Sequence, residues 1–216
     1  MNIVLFGPPA AGKGTQSENI AKELNYFKLS TGDLLRNEAN KKSSLGIKIK
    51  SLIDQGSLVS DDIINDVIEN ILSNEKYFNR IIFDGYPRNL SQAKHLDSLL
   101  TKHKQKINCV FSLQVSFNTI LKRIIGRQVC SNCKLTFNEF FNPPTKENHK
   151  CNPKFLKKRS DDTEETIKNR FDTYLNETAP IIEYYKNQKL LYEIDGKNDI
   201  SIIYKEIHSI ISSLRT

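Results

Sequence analysis

The sequence predicts an α/β protein, a parallel sheet with helices on both faces, and three observations predict it. Short apolar runs of strand length alternate with amphipathic stretches of helical length along most of the 216 residues. The first run, NIVLF at 2–6, leads straight into a glycine-rich loop and then a helical stretch. The rhythm breaks over residues 127–159, which are too many for an ordinary connection and read as an inserted unit with a job.

The elements follow in order. NIVLF (2–6) predicts a buried strand, followed by a helix from about Lys13 to Leu24. YFKLS (26–30) predicts a short strand, and a helical insertion occupies about 31–60, with helical periodicity over 31–42. RIIFD (80–84), NCVFSLQV (108–115) and LLYEID (190–195) predict further strands. Helical periodicity marks 61–74, 90–103, 116–126, 163–187 and 199–213. The chain carries no internal repeat and no low-complexity tract.

Composition narrows the class. Charged residues make up 26% and hydrophobic ones 38%, ordinary for a globular protein able to bury one sizeable core. The net charge of +7 favours an anionic partner without choosing among nucleotide, nucleic acid and membrane. The lysines are spread along the chain, so most read as a solvated basic surface. No apolar run approaches the length of about 18 residues that spans a membrane. The N-terminus lacks a charged leader and a small-residue cleavage site, so Met1 is expected to start the mature protein. Cys109 stands alone, while Cys130, Cys133 and Cys151 fall within or beside the insertion. Without a secretory signal they favour a metal or reduced thiols over a disulfide framework, and a cytosolic compartment.

Three motifs carry chemistry. GPPAAGKGTQ (7–16) resembles a phosphate-binding loop in which the hydroxyl arrives one place late, at Thr15 instead of directly after Lys13. Gly7 permits a tight turn, Gly12 and Gly14 let backbone N–H groups approach phosphate, and Lys13 reaches terminal phosphates. Thr15 can meet Mg²⁺ or a phosphate at the helix N-terminus. A plain Gly/Pro turn is the alternative; the preceding strand and following helix favour phosphate. DGYPRNLSQ (84–92) puts Asp84 at the end of an apolar strand, the usual place for a Mg²⁺-holding acid, with Arg88 suited to gripping phosphate. Taken alone, it is equally a charged strand-to-helix turn. Arg123 and Arg127, expected on one helical face, precede the insertion, while Arg159 and Arg170 follow it. On a Lys-rich background these arginines suggest fork geometry for phosphate. Asp161 and Asp162, immediately after Arg159, could equally be helix N-terminal acids favoured by the macrodipole.

These blocks, with STGDLLR (30–36), DQGSLVSDD (54–62), RIIGR (123–127), FNPP (141–144) and RSDDTEETIKNR (159–170), resemble the adenylate kinase family, in order and over nearly the full length. The displaced Thr15 matches that family's loop, and the insertion resembles its long-lid form. The resemblance implies a P-loop parallel five-stranded sheet with helices on both faces. The CORE would comprise 1–29, 60–125 and 164–216, with an AMP-binding insertion at 30–59 and a LID at 126–163.

It also implies roles. Ala10, Ala11, Gly12, Lys13, Gly14 and Thr15 would hold ATP phosphates, Arg123 would cover the base, and Arg127 would meet the phosphates. Thr136, Phe137 and Asn198 would complete the ATP side. Thr31, Arg36, Ser57, Leu58, Val59, Gly85, Tyr86, Pro87, Arg88 and Gln92 would hold AMP, together with Arg159 and Arg170. Lys13, Asp84, Arg88, Arg127, Arg159 and Arg170 would be catalytic, with Mg²⁺ on ATP. The expected reaction is ATP + AMP ⇌ 2 ADP by a cytoplasmic monomer, with no nucleic-acid or membrane partner. An AMP phosphate oxygen is already anionic, which fits the absence of an obvious general base.

Two departures stand out. Ala10 occupies a glycine position of the family's loop, a change expected to be tolerated. In the insertion, Cys130, Cys133 and Cys151 match the family's zinc-binding lids, but Lys154 stands where the fourth ligand belongs. His149 or Asn152 could substitute, and three reduced cysteines without metal are the other reading. Cys109 reads as a small buried hydrophobe and His95, His103 and His208 as surface residues. A UMP/CMP kinase is the alternative enzyme, against which Gln92 argues because its amide suits the adenine edge. A basic zinc-ribbon-like nucleic-acid binder is the alternative from another class, and it leaves the loop and DGYPR unexplained.

Overall fold

The computed structural model describes residues 1–40, 43–55, 59 and 61–215. Five strands, β1 (Asn2–Phe6), β2 (Phe27–Ser30), β3 (Ile81–Asp84), β4 (Ile107–Gln114) and the late strand β8 (Leu191–Asp195), form one sheet ordered β2-β3-β1-β4-β8. Every pairing is parallel. Parallel strands need covered faces, and the side chains alternate accordingly. Val4, Phe6, Ile81, Phe83 and Val110 pack into one buried cluster, and Ile3, Leu5, Ile82, Cys109 and Phe111 into the other. Cys109 is indeed a buried small hydrophobe, its thiol pushed up to about 12 by burial.

The helices are α1 (Lys13–Leu24), α2 (Thr31–Ala39), α3 (Ser44–Asp54), α4 (Asp61–Leu72), α5 (Leu90–Lys102), α6 (Phe117–Ile125), α7 (Glu164–Thr173), α8 (Ala179–Asn187) and α9 (Ile200–Ser213). Helix α9 packs Ile203, Ile207 and Ile211, spaced one turn apart, against one sheet face. Helix α5 packs Ala93, Leu96 and Leu100 against the other. The expected continuous helix over 163–187 is broken by a single wide π turn at Tyr174–Thr178, where the Ala179 N–H reaches back to Tyr174 O.

The insertion forms a second sheet that periodicity did not predict. Strands β5 (Arg127–Cys130), β6 (Thr136–Asn138) and β7 (Leu156–Lys157) pair antiparallel in the order β6-β5-β7. Its small core includes Phe137, which meets the His149 ring edge-on at 4.9 Å.

Arg123 and Arg127 do not share a helical face. Helix α6 ends at Ile125, Gly126 caps it, and Arg127 opens β5. Any side chain at Gly126 would meet Phe140 at 2.6 Å and Asn138 at 2.9 Å, so the chain turns there without one. Of the histidines, His95 is exposed, whereas His103 and His208 are half-buried.

Candidate active site

The loops at the carboxyl ends of the strands line a cleft of about 780 Å³, the usual ligand position in a parallel α/β sheet. The phosphate loop forms one wall. After β1, Gly7 adopts φ +145°, and a Cβ there would lie 2.9 Å from Leu113 O, so only glycine fits the turn. Helix α1 then starts with no side-chain cap and no acid in its first turn. Its N-terminal dipole and N–H groups are therefore left to an anion.

Lys13 bridges the loop, its Nζ donating to Gly7 O at 2.6 Å and Pro8 O at 2.9 Å. Burial, with further repulsion from Arg88, Arg170 and Arg127, pulls its ammonium down to about 8 against the pull of Asp84. Asp84, 8% exposed at the end of β3, accepts from the Ser17 hydroxyl at 3.1 Å through Oδ2. Its carboxylate lies beside the loop, where a Cβ on Gly14 would come within 3.7 Å. Carboxylate and hydroxyl oxygens from Asp84 and Thr15, both lining the cleft, are the hard donors that suit Mg²⁺.

The opposite wall is built by the turn after β3. Gly85 sits at φ +78°, where its carbonyl accepts from Thr31 Oγ1 at 2.8 Å and Arg88 Nε at 2.7 Å. The Thr178 hydroxyl, in the π turn, donates to Arg88 O at 2.8 Å, so that irregular turn fixes the arginine's backbone. Arg36 also lines the cleft, paired with Asp33 at 2.6 Å. Burial and then neighbouring guanidiniums bring both Arg88 and Arg159 down to about 10, still charged at neutral pH.

Arg123 lies across the cleft mouth, donating to Ala11 O at 3.1 Å and Gly196 O at 2.6 Å, with the Phe141 ring 5.7 Å away. Ala10, Ala11, Gly12, Gly14, Val59, Pro87, Arg127, Thr136, Phe137, Arg170 and Asn198 line the same space. Thr31, Tyr86 and Gln92 do not line it; they are buried behind it. Tyr86 turns its hydroxyl to Asn65 Oδ1 at 3.1 Å, and Gln92, 1% exposed, accepts the Arg88 N–H at 2.7 Å through Oε1. Ser57 and Leu58 lie outside the described residues. Asp161 and Asp162 are not acids of the helix's first turn. Helix α7 is capped by Thr163, and the two acids pair with Arg170 and Arg127.

In the lid, Cys130, Cys133, His149 and Cys151 bring one ligand atom each within 4.8 Å of one another. His149 is 7% exposed and its Nε2 has no hydrogen-bond partner among the described residues. Burial opposes ionisation of Cys130, but hydrogen bonds from His149 and the backbone of Cys133 and Asn132 bring it down to about 6. Three thiols and a buried imidazole that already bonds one of them are a donor set that fits zinc. Asn152 is not part of it, because its side chain accepts the Lys154 N–H at 3.0 Å to cap a short turn.

The sequence pattern of the family described as adenylate kinase matches residues 5–190. This chain belongs to the adenylate kinase family. An adenylate kinase of Pelagibacter ubique (strain HTCC1062) is 48% identical over 98% of this chain and 99% of its own length. Those of Nitrosococcus oceani and Methanocella arvoryzae are 40% and 39% identical over essentially whole chains. Membership of the adenylate kinase family accounts for the P-loop sheet and makes the chain a nucleotide-binding phosphotransferase.

Proposed function

We propose that the chain transfers the terminal phosphoryl group of Mg²⁺-bound ATP reversibly to AMP, giving two ADP and balancing adenine nucleotide pools. The observation that carries this reading is a single cleft with the phosphate loop on one wall, Arg36 and Arg88 on the other, and Arg127, Arg159 and Arg170 between. Two phosphate-binding walls suit a donor and an acceptor nucleotide. The loop and Lys13 hold the donor's phosphates, with Arg123, Thr136, Phe137 and Asn198 around its nucleoside. Arg36, the stretch through Ser57, Leu58 and Val59, Gly85, Pro87 and Arg88 hold AMP, with Thr31 and Tyr86 supporting that wall from behind.

Mg²⁺, near Thr15 and Asp84, would neutralise charge on the donor phosphates. Lys13, Arg88, Arg127, Arg159 and Arg170 align the two nucleotides in line and spread charge off the moving phosphoryl group. No side chain has to take a proton, because the attacking AMP oxygen is already anionic. Closure of the insertion over the cleft excludes water, which would otherwise compete as acceptor. The domain division is CORE 1–29, 60–125 and 164–216, AMP-binding insertion 30–59 and LID 126–163. It is supported by the separate lid sheet and by α2 and α3 lying between β2 and α4.

Gln92 selects adenine. It is 1% exposed behind the cleft wall with its Oε1 on the Arg88 N–H, so it meets a base only by turning its amide out into the cleft. A base that mismatches it leaves buried polar groups unpaired, at roughly 1–3 kcal/mol each. Coupled measurement of ADP formation with AMP, GMP, CMP and UMP tests this. AMP should exceed the others by on the order of tenfold or more, and equal turnover of CMP or UMP would overturn the adenylate assignment.

The lid holds structural zinc through Cys130, Cys133, His149 and Cys151, stapling an insertion too small to stabilise itself. Metal analysis should find about one zinc per chain, as a closed four-ligand site requires. Zinc-free protein with three freely reacting native thiols would refute it. Both walls of the cleft come from one chain, which supports action as a monomer, and the free cysteines suit a reducing cytoplasm. Light scattering and cell fractionation check these two points.

A further inference from the structure

The insertion concentrates the protein's charge. Residues 127–159 hold eight Lys and Arg against two Glu, so six of the chain's seven net positive charges sit in 33 of its 216 residues. Arg127 and Arg159 are already proposed to serve the phosphoryl group. Lys134, Lys157 and Lys158 are not, yet all three line the cleft. Lys146, Lys150 and Lys154 are exposed elsewhere on the insertion and do not line it.

The register of the lid sheet explains this division. Val129 on β5 pairs with Thr136 on β6 and with Lys157 on β7, so one cross-strand row puts these three side chains on the same face. Arg127, two residues before Val129, shares that face, and all four line the cleft. Lys158 continues from the end of β7. Lys134 stands in the turn between β5 and β6, its Nζ donating back to Ser131 O at 2.6 Å. That turn holds Lys134 at φ +64°, a conformation natural to glycine, so the backbone alone does not call for a lysine there.

No acid of the insertion offsets these charges. Among the described residues none of the three lysines forms an ion pair. The acids that line the cleft are Asp33, Asp84 and Asp199, all outside the insertion. Ammonium groups without counter-anions on one wall of a cleft focus a positive potential through its mouth. All three lysines are exposed. An exposed lysine is a hydrated point charge on a long stem, suited to drawing an anion in, whereas a planar guanidinium is suited to fixing one in place.

We propose that Lys134, Lys157 and Lys158 are capture residues for the phosphoryl donor: their field speeds the entry of ATP across the lid face, and they take no part in the transfer itself. The proposal rests on the phosphoryl-transfer reading of the cleft. ATP is their target because the row that carries Lys157 also carries Thr136, placed beside the donor's nucleoside on that reading.

Stopped-flow binding of a fluorescent ATP analogue tests it, comparing wild type with a triple variant, Lys134→Gln, Lys157→Gln and Lys158→Gln. Steady-state kinetics and melting temperature are followed in each. At about 0.03 M ionic strength, where charges act over about 18 Å, the triple variant should associate roughly 3- to 10-fold more slowly. Its dissociation rate should change by less than about twofold. At about 0.5 M salt, where the reach falls to about 4 Å, the two association rates should agree within about twofold. The value of kcat should be unchanged while kcat/KM for ATP falls, and kcat/KM for AMP should fall less. Lys146→Gln, Lys150→Gln and Lys154→Gln together remove the same charge away from the cleft, and should slow association by less than half as much on a logarithmic scale. If the cleft-facing triple does not fold, Lys157→Gln and Lys157→Glu replace it, the reversal slowing association about twice as much on that scale. An association rate unchanged at low salt, a lowered kcat, a loss carried by dissociation or an equal loss in the control triple overturns the capture role. A wild-type protein that binds no ATP analogue at either salt overturns the underlying reading instead.

Discussion

Nucleotide binding should draw a proton onto Lys13, and the structure sets the size of the effect. Burial and three arginines lower its ammonium from the ordinary 10.5 to about 8. Holding that charge without an anion therefore costs on the order of 3 kcal/mol. Phosphates placed against the ammonium favour the charged form and return it toward its ordinary range. The fraction of free protein with a neutral Lys13 is about 0.1 at pH 7, about 0.5 at pH 8 and about 0.75 at pH 8.5. Binding a non-hydrolysable ATP analogue should take up protons in those proportions. The free state loses the proton first as pH rises, so the charged form that binds phosphate becomes scarcer. Affinity should then fall above pH 8, approaching tenfold per pH unit. Calorimetric titrations in buffers of different ionisation heat read the uptake directly. Lys13→Met should abolish it. Uptake that is absent at pH 8–8.5, or unchanged in Lys13→Met, would refute the assignment of the strained charge to this lysine.

Other outcomes follow from single positions. Arg88→Ala should cut turnover strongly and weaken AMP more than ATP, with the melting temperature little changed, because its guanidinium serves the cleft and not the core; steady-state kinetics and a thermal melt check both halves. Ala10 sits at φ +56°, where a Cβ costs about 1–2 kcal/mol. Ala10→Gly relieves that, but loses a methyl packed near Ile120 and loosens the unfolded chain by about 0.4–1 kcal/mol. A melt should therefore shift by no more than a few degrees. His149→Asn should leave the lid with less than one zinc per chain and lower the melting temperature, while Asn152→Ala should keep the full metal content.

Most of the sheet was legible because parallel strands buried on both faces are largely apolar, as IVLF (3–6) and IIF (81–83) are, and strands of that kind leave little register to guess. The lid sheet was not. Its strands are two to four residues long, and β7 is only Leu156–Lys157, too short for any period to show. The phosphate loop and the arginines were legible from residue type, yet their surroundings were not. Asp161 and Asp162 stand two and one residues before the Thr163 cap, so their sequence position suggested helix electrostatics while tertiary pairing decided their role. His149 was ambiguous because it precedes Cys151 by two residues instead of following it by three, and spacing alone could not say which way it turns. The burial of Tyr86 and Gln92 depends on the turn between β3 and α5, whose geometry no residue pattern revealed.

On the proposed reading, in which the insertion closes over the cleft, the charge arrangement gives closure a reason to wait for substrate. The cleft draws cations from three parts of the chain: Lys13 in the loop, Arg36 and Arg88 on the opposite wall, and Arg127 and Arg159 at the ends of the insertion. Burial and repulsion already lower Lys13, Arg88 and Arg159. Drawing the lid arginines closer without an anion would raise that cost further, since like charges in a desolvated space repel more strongly than in water. Asp161 and Asp162 offset part of it, but they are buried on the far side and leave the cleft face positive. Phosphates from two nucleotides supply negative charge where the cations converge; a water molecule supplies none. On the proposed reading, that repulsion opposes closure around ATP and water alone, and an AMP phosphate between Arg36 and Arg88 would relieve it.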